Sequence, residues 1–202
     1  EYGTHPQQSR RVFAMDQATR TLGERFPAAG TEGAIRAGLD ELVGEHLAKT
    51  YSRGADAGVL RIERLLVDMG YKPGIVADVK HQSGGATMML SKGMGIKAGQ
   101  KPMSSYQRRP GETIGHHWYI PNVSKTAEFP HVAADVNYWK TFVHKALATA
   151  AGDPGSLTLY GKPEWHELFA QHIAASETWT ETKGHGRTVH EWKLLPAKPD
   201  NH

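Results

Sequence analysis

Between Thr31 and Leu47 the apolar residues Ile35, Leu39, Leu42, Val43 and Leu47 recur at helical spacing, and Arg36, Asp40, Glu41 and Glu45 fill the opposite side. This periodicity predicts an amphipathic scaffold helix that opens at Thr31, just past the Pro/Gly cluster of residues 27–30. The next apolar segment, VLRIERLLVDMGY (59–71), changes character. Leu60, Ile62, Leu65, Leu66 and Val67 call for burial, and Asp68 follows them at once, which predicts a strand ending in an acid. A short helix is expected from Pro73 to about Lys80 with Ile75, Val76 and Val79 inward, then a second buried strand over Ala86–Leu90. Strand, helix and strand in succession make a crossover unit, hence an α/β fold with at least one parallel pair of strands.

Further along, the pattern gives a long loop over Ser91–Gly111 and a strand over Thr113–Pro121 that would turn His116 and His117 to opposite faces. A short strand, Val132–Val136, carries Asp135 near its end. A helix over Asn137–Ala150 should place Trp139, Phe142, Val143, Ala146 and Leu147 inward and Lys140, His144 and Lys145 toward solvent or a ligand. Ser156–Tyr160 reads as a strand, and Pro163–Ser176 as a helix. Thr178–Lys183 and Arg187–Leu194 alternate as a hairpin closed by Gly184-His185-Gly186. At the start, residues 1–8 are turn-like and Arg11–Met15 is a candidate short strand. The expected architecture is one α/β domain, a mixed sheet flanked by helices.

Composition narrows this in three ways. A chain of 202 residues with 39% hydrophobic residues and five Trp can bury a sizeable core, and no apolar run approaches the ~20 residues of a membrane span. Cysteine is absent, so disulfides and thiolate metal sites are excluded. The net charge of +3 is unevenly spread: between Asp78 and Glu112 stand six cations and no acid, so the remainder sums to −3. Those cations, Lys80, Lys92, Lys97, Lys101, Arg108 and Arg109, lie in a Gly-, Ser- and Met-rich stretch. Several cations on a loop suit contact with a phosphate backbone, and equally suit a plain solvated loop.

No nucleophile elbow, P-loop or zinc-finger spacing occurs. There remains a set of acids at expected strand ends, Asp68 and Asp135, and the terminal pair Asp200 and His202. Ligands collect at the carboxyl edges of α/β sheets, and a carboxylate withdrawn from water there must be paired, hydrogen-bonded or metal-bound. Asp68 is thus either a ligand of Mg²⁺ or Mn²⁺ or a cap for the helix after it; the same choice holds for Asp135. Lys140 is either a charge near a reacting phosphate or an exposed helix lysine. Acids at sheet edges beside an acid-free basic loop would suit metal-assisted phosphodiester hydrolysis.

Eight phrases in order through most of the chain carry a more specific likeness: EYGTHPQQ (1–8), EGAIRAGLDEL (32–42), LRIERLLVDMGY (60–71), KPMSSYQRRPGE (101–112), HHWYIP (116–121), DVNYWKTFVHKAL (135–147), GDPGSLTLYG (152–161) and GRTVHEWKLLPAKPDNH (186–202). With these the chain resembles the nuclease domain of the GpA-type large terminase subunit of tailed bacteriophages. The resemblance implies an RNase H-like fold and a two-metal, Mg²⁺- or Mn²⁺-dependent endonuclease that cuts concatemeric double-stranded viral DNA in the host cell cytoplasm. It implies a small terminase subunit and a portal as partners, and ATP only in a motor domain that these residues do not contain. Asp68 matches the acid after a central strand, Lys140 a lysine in the helix after the Asp135 strand, and Asp200 and His202 the start of a terminal metal-site motif. Lys92, Lys97, Lys101, Arg108 and Arg109 become the expected DNA contacts. The family's first strand would precede Glu1 and its last helix would follow His202, which makes the domain an incomplete one. The rival expectation is a non-catalytic DNA-binding or docking module on a degenerate nuclease fold.

Overall fold

The computed structural model describes residues 21–52, 58–123, 129–159, 161–170, 173–174 and 177–196. The turn and strand expected within residues 1–15 lie outside the described residues. In chain order the elements are α1 (Leu22–Arg25), α2 (Gly30–Ala48), β1 (Thr50–Ser52), β2 (Val59–Arg61), β3 (Leu65–Asp68), α3 (Pro73–Val79), β4 (Met88–Met94), β5 (Thr113–Gly115), β6 (Trp118–Ile120), β7 (His131–Asp135), α4 (Val136–Ala148), β8 (Glu177–Gly184) and β9 (Arg187–Leu194).

Five strands form a mixed sheet in the order β3-β4-β7-β6-β5. The expected crossover is there: β3 pairs in parallel with β4, with α3 and a π-helical turn over Lys80–Gly84 between them. β7 joins the other side of β4, also in parallel, and β6 and β5 extend the sheet antiparallel. The fold is therefore α/β, with helices flanking a mixed sheet. Val43 of α2, Val76, Ala77 and Val79 of α3, and Met88 and Leu90 of β4 make the core on one face. Side chains alternate along β4, so Gly93 belongs to the opposite face, where α4 begins with Val136 directly over it. No helix of the described residues is long and apolar enough to cross a membrane.

β8 and β9 form a separate antiparallel hairpin. Its two-residue turn, His185-Gly186, has φ of 47° and 73°, the backbone signature of the tight turns whose twist matches that of the flanking strands. The hairpin rests on α4: the Trp192 amide donates to Asn137 Oδ1 at 3.0 Å, Trp192 Nε1 to Thr141 Oγ1 at 2.9 Å, and the Trp192 ring stacks on His144.

Several expectations change. The segment 59–68 is two strands: β2 pairs with β1 in a small separate ribbon, and the charged pair Glu63-Arg64 interrupts the run before β3. Leu60, on the ribbon strand β2, is exposed; along β3 Leu66 is exposed while Leu65 and Val67, on the other face, pack on the core. β4 runs on to Met94, so Lys92 stands on a strand and not in a loop. Thr113–Pro121 is a hairpin, β5 and β6, turning at His116-His117. Phe142 is exposed. Residues 156–159 form no strand; the Leu157 amide instead donates to the Ala146 carbonyl at the end of α4. The helix expected from Pro163 is a 3₁₀ turn, Pro163–His166, followed by one α-turn, Glu167–Ala170; positions 171, 172, 175 and 176 lie outside the described residues.

The hairpin tip also touches the basic loop, through a glycine. A Cβ on Gly184 would lie 2.9 Å from the Ala98 carbonyl carbon and 3.0 Å from the Gly99 amide nitrogen, both backbone atoms that cannot swing aside. Gly184→Ala is expected to destabilise the fold by ~1–3 kcal/mol, measured as a lowered urea midpoint; an unchanged midpoint would contradict this close approach.

Candidate functional site

Asp68 is the last residue of β3, with an exposed side chain at the carboxyl end of a parallel strand. Its Oδ2 accepts a hydrogen bond from the Gly70 amide at 2.9 Å, closing the turn toward α3. It does not cap α3, whose N-cap position is Lys72 in a left-handed conformation without a side-chain cap. Nor is its strand central: among the described residues β3 is the outer strand of the sheet, and no strand pairs with its second edge.

Asp135 ends β7 in a very different setting. It is buried, and Oδ1 accepts from the amides of Asn137 and Tyr138 at 3.2 and 3.3 Å, so it is the N-cap of α4. Oδ2 faces His117 Nδ1 at 3.6 Å. In register, Asp68 lies opposite Ser91 and Ser91 opposite Val132, three residues short of Asp135. Two strand spacings and three strand residues put the two acids roughly 14 Å apart at Cα, beyond the reach of two aspartates to one ion. Asp135 is a structural cap, not a ligand shared with Asp68. Asp200 and His202 lie outside the described residues. Among the described residues no three His, Asp or Glu side chains converge as a metal site.

Lys140 reaches across to β8 and forms an ion pair with the nearly buried Glu177 carboxylate, so its ammonium is committed within the fold. The five cations expected at DNA are all exposed. The segment after β4 that carries the last four of them is nonetheless ordered. Ile96, Ala98 and the 3₁₀ residue Met103 are buried, Lys101 lies over the Tyr106 ring, and Arg108 Nε donates to the Glu112 carbonyl at 2.9 Å. Arg187 of β9 binds the loop's backbone, donating to the carbonyls of Lys97, Ala98 and Gln100. Lys80, the sixth cation, donates to the carbonyls of Met88 and Gly85, which holds the crossover turn and removes it from the exposed set.

The two histidines correct the expectation that they face apart. His117 adopts φ of +56°, a left-handed conformation rare for a residue with a Cβ. This folds both rings toward α4. His117 stacks on Tyr138 with centroids 3.5 Å apart and planes within 3°, while His116 Nε2 hydrogen-bonds the Tyr138 hydroxyl at 2.6 Å. Both sit by Asp135, and Asp68 is at the far side of the sheet's parallel part. No protein-family model, curated protein or solved structure matches this chain.

Beside this cluster a cleft of about 360 Å³ opens between α4 and β9, lined among others by Tyr138, Phe142, Lys145, Arg187 and His190. The sequence pattern did not single out Tyr138, Arg187 or His190. A signal was present for the helix wall, since Tyr138, Thr141, Phe142 and Lys145 recur at three- and four-residue spacing, a face too polar for a core. For Arg187 and His190 there was none, because the elements they face across the cleft and the loop are distant in sequence.

Burial lowers the His117 pKa below the usual imidazole value, the neighbouring His116 adds to the shift, and the Asp135 carboxylate opposes it; Arg187 lowers it further. Among the described residues His117 Nδ1 is buried with no hydrogen-bond partner, the Asp135 Oδ2 atom lying 3.6 Å away. With the folded pKa below the unfolded one, the unfolded chain takes up the proton first as pH falls. The stability from neutral His117 is therefore fully present above about pH 6.5 and is lost as pH falls through that value toward the folded pKa. His144, also lowered mainly by burial, acts in the same direction. His117→Asn, which tolerates the left-handed backbone, is expected to flatten the fall of Tm between pH 7 and pH 5; an undiminished slope would remove His117 from the account.

Proposed function

We propose that the chain is the nuclease part of a phage DNA-packaging terminase, a Mg²⁺- or Mn²⁺-dependent endodeoxyribonuclease of RNase H-like fold that cuts concatemeric double-stranded DNA in the host cytoplasm. The observation that carries this reading is the placement of Asp68, an exposed carboxylate at the end of a parallel strand whose second edge has no strand partner among the described residues. A further parallel strand laid on that edge would end ~5 Å from Asp68, close enough for a second acid to share its ligand. The resemblance of the eight phrases, in order through most of the chain, supports the choice of this family.

The described residues do not by themselves compose a metal site: Asp68 would supply one oxygen ligand, and the others would come from Asp200, His202 or an upstream acid. A bound divalent metal supplies water activation and charge neutralisation at the scissile phosphate. For its own part the chain offers exposed Lys92, Lys97, Lys101, Arg108 and Arg109 to the DNA backbone, on a segment ordered in advance. Asp135 and Lys140 are kept out of the chemistry, since one caps a helix and the other pairs with Glu177. A small terminase subunit, a portal and an ATP-driven motor belong to the same proposal.

A non-catalytic DNA-binding or docking module is the second reading, favoured by the absence of converging metal ligands among the described residues. Plasmid cleavage by the intact open reading frame under Mn²⁺ or Mg²⁺ separates the two. Asp68→Ala is expected to reduce cleavage by about 100-fold or more while leaving Tm nearly unchanged, because the side chain is exposed. Cleavage that survives the substitution would overturn the assignment. DNA binding without any nicking, lost at moderate salt and on neutralising Lys97, Lys101, Arg108 and Arg109, would establish the second reading.

A further inference from the structure

The cleft between α4 and β9 has no part in the cleavage proposed at Asp68, and its walls have a distinct chemistry. Phe142 faces it with 52% of its surface exposed, although α4 packs against both the sheet and the hairpin. The Phe142 ring lies within 15° of the Tyr138 plane at a centroid distance of 6.5 Å, and Tyr138 is itself stacked on His117. Three ring planes thus share nearly one orientation, and the last, which also meets the Trp139 ring at 5.6 Å and 79°, is half exposed. Lys145 follows Phe142 by three residues on the same side of α4, and Arg187 stands on the opposite wall. Among the described residues of the lining, Lys145 and Arg187 stand against one carboxylate, the buried Asp135, so the balance of formal charge is positive.

An exposed aromatic ring beside two cations, of which Arg187 is held by loop carbonyls, is matched by a ligand that is flat and aromatic at one end and anionic at the other. A volume of about 360 Å³ is at the small end of the range for ligand sites and suits one nucleotide. We infer that this cleft binds an unpaired nucleotide of a single-stranded polynucleotide, with the base stacked on the exposed Phe142 ring and its phosphate against Lys145 and Arg187. Stacking of this kind is indifferent to base identity, because every base has a π face. A peptide strand added along β9 would need neither the ring ladder nor the cations. The site lies at the carboxyl edge of β7, the same edge at which Asp68 ends β3.

The test is a fluorescence anisotropy titration of the full chain, without divalent metal, against a labelled oligothymidylate of about 12 nucleotides. An oligomer of equal length with abasic sugars and an oligouridylate serve as second and third probes. Oligothymidylate is expected to bind at least about fivefold more tightly than the abasic oligomer. Phe142→Ala and Phe142→Leu should each abolish that difference, and Phe142→Trp should retain it. Lys145→Ala should weaken both deoxy probes alike and reduce the salt slope by about one. Equal binding of oligothymidylate and the abasic oligomer, absence of binding, or wild-type discrimination in both Phe142→Ala and Phe142→Leu would each overturn the inference. Oligouridylate binding equal to that of oligothymidylate assigns the site to both polynucleotides, and weaker binding to DNA. Because no metal is present, failure here is read apart from failure of plasmid cleavage.

Discussion

A buried carboxylate, that of Asp135, joins three elements: β7, α4 and the β5–β6 turn. It ends β7, caps α4 through two amides, and faces the His117 ring, while its own amide donates to the His117 carbonyl at 3.0 Å. A charge withdrawn from water is tolerable only where donors and a favourable field replace its hydration, and the first turn of a helix provides both. The direction of α4, the seat of the β5–β6 turn and the closing of the cleft all depend on that one capped residue. The left-handed backbone at His117 is the local strain this arrangement sustains.

Three parallel strands, β3, β4 and β7, send their carboxyl ends to one edge of the sheet. Each strand leads into a different structure: a turn closed by Asp68, an ordered basic loop, and the capped start of α4. A chain with no cysteine and no P-loop can thus still gather acid, cation and aromatic groups along a single rim. On the face away from α4 the core around Met88 and Leu90 is purely apolar.

Elements with a strong period were legible in the sequence. α2, α3, β7, α4 and the β8–β9 hairpin all stand where periodicity and turn residues put them, because burial on one face writes itself into the spacing. The segment 59–68 misled for a specific reason: Val59, Leu60, Leu65 and Leu66 are apolar enough to read as one buried strand, yet only Leu65 and Val67 find a core to face. The His116-His117 turn carries none of the Asn-Gly chemistry that marks hairpins, and its conformation depends on Tyr138 and Asp135. Asp68 was legible as an exposed strand-end acid. That Asp135 caps the helix after it was one of the two roles its position allowed; which of the two held, and that Lys140 would be held by Glu177, depended on the three-dimensional path.

Arg187 donates from the hairpin to three carbonyls of the loop at 97–100, and Gly184 beside it allows the two backbones to meet. These contacts make the hairpin and the basic loop one cooperative unit, so neither can open without exposing polar groups of the other. A polyanion that orders the lysines would thereby slow hydrogen exchange along β9, far from any phosphate it touches. By the same reciprocity, a ligand that stabilised this unit from the side of β9 would stabilise it for a ligand on the side of the loop as well.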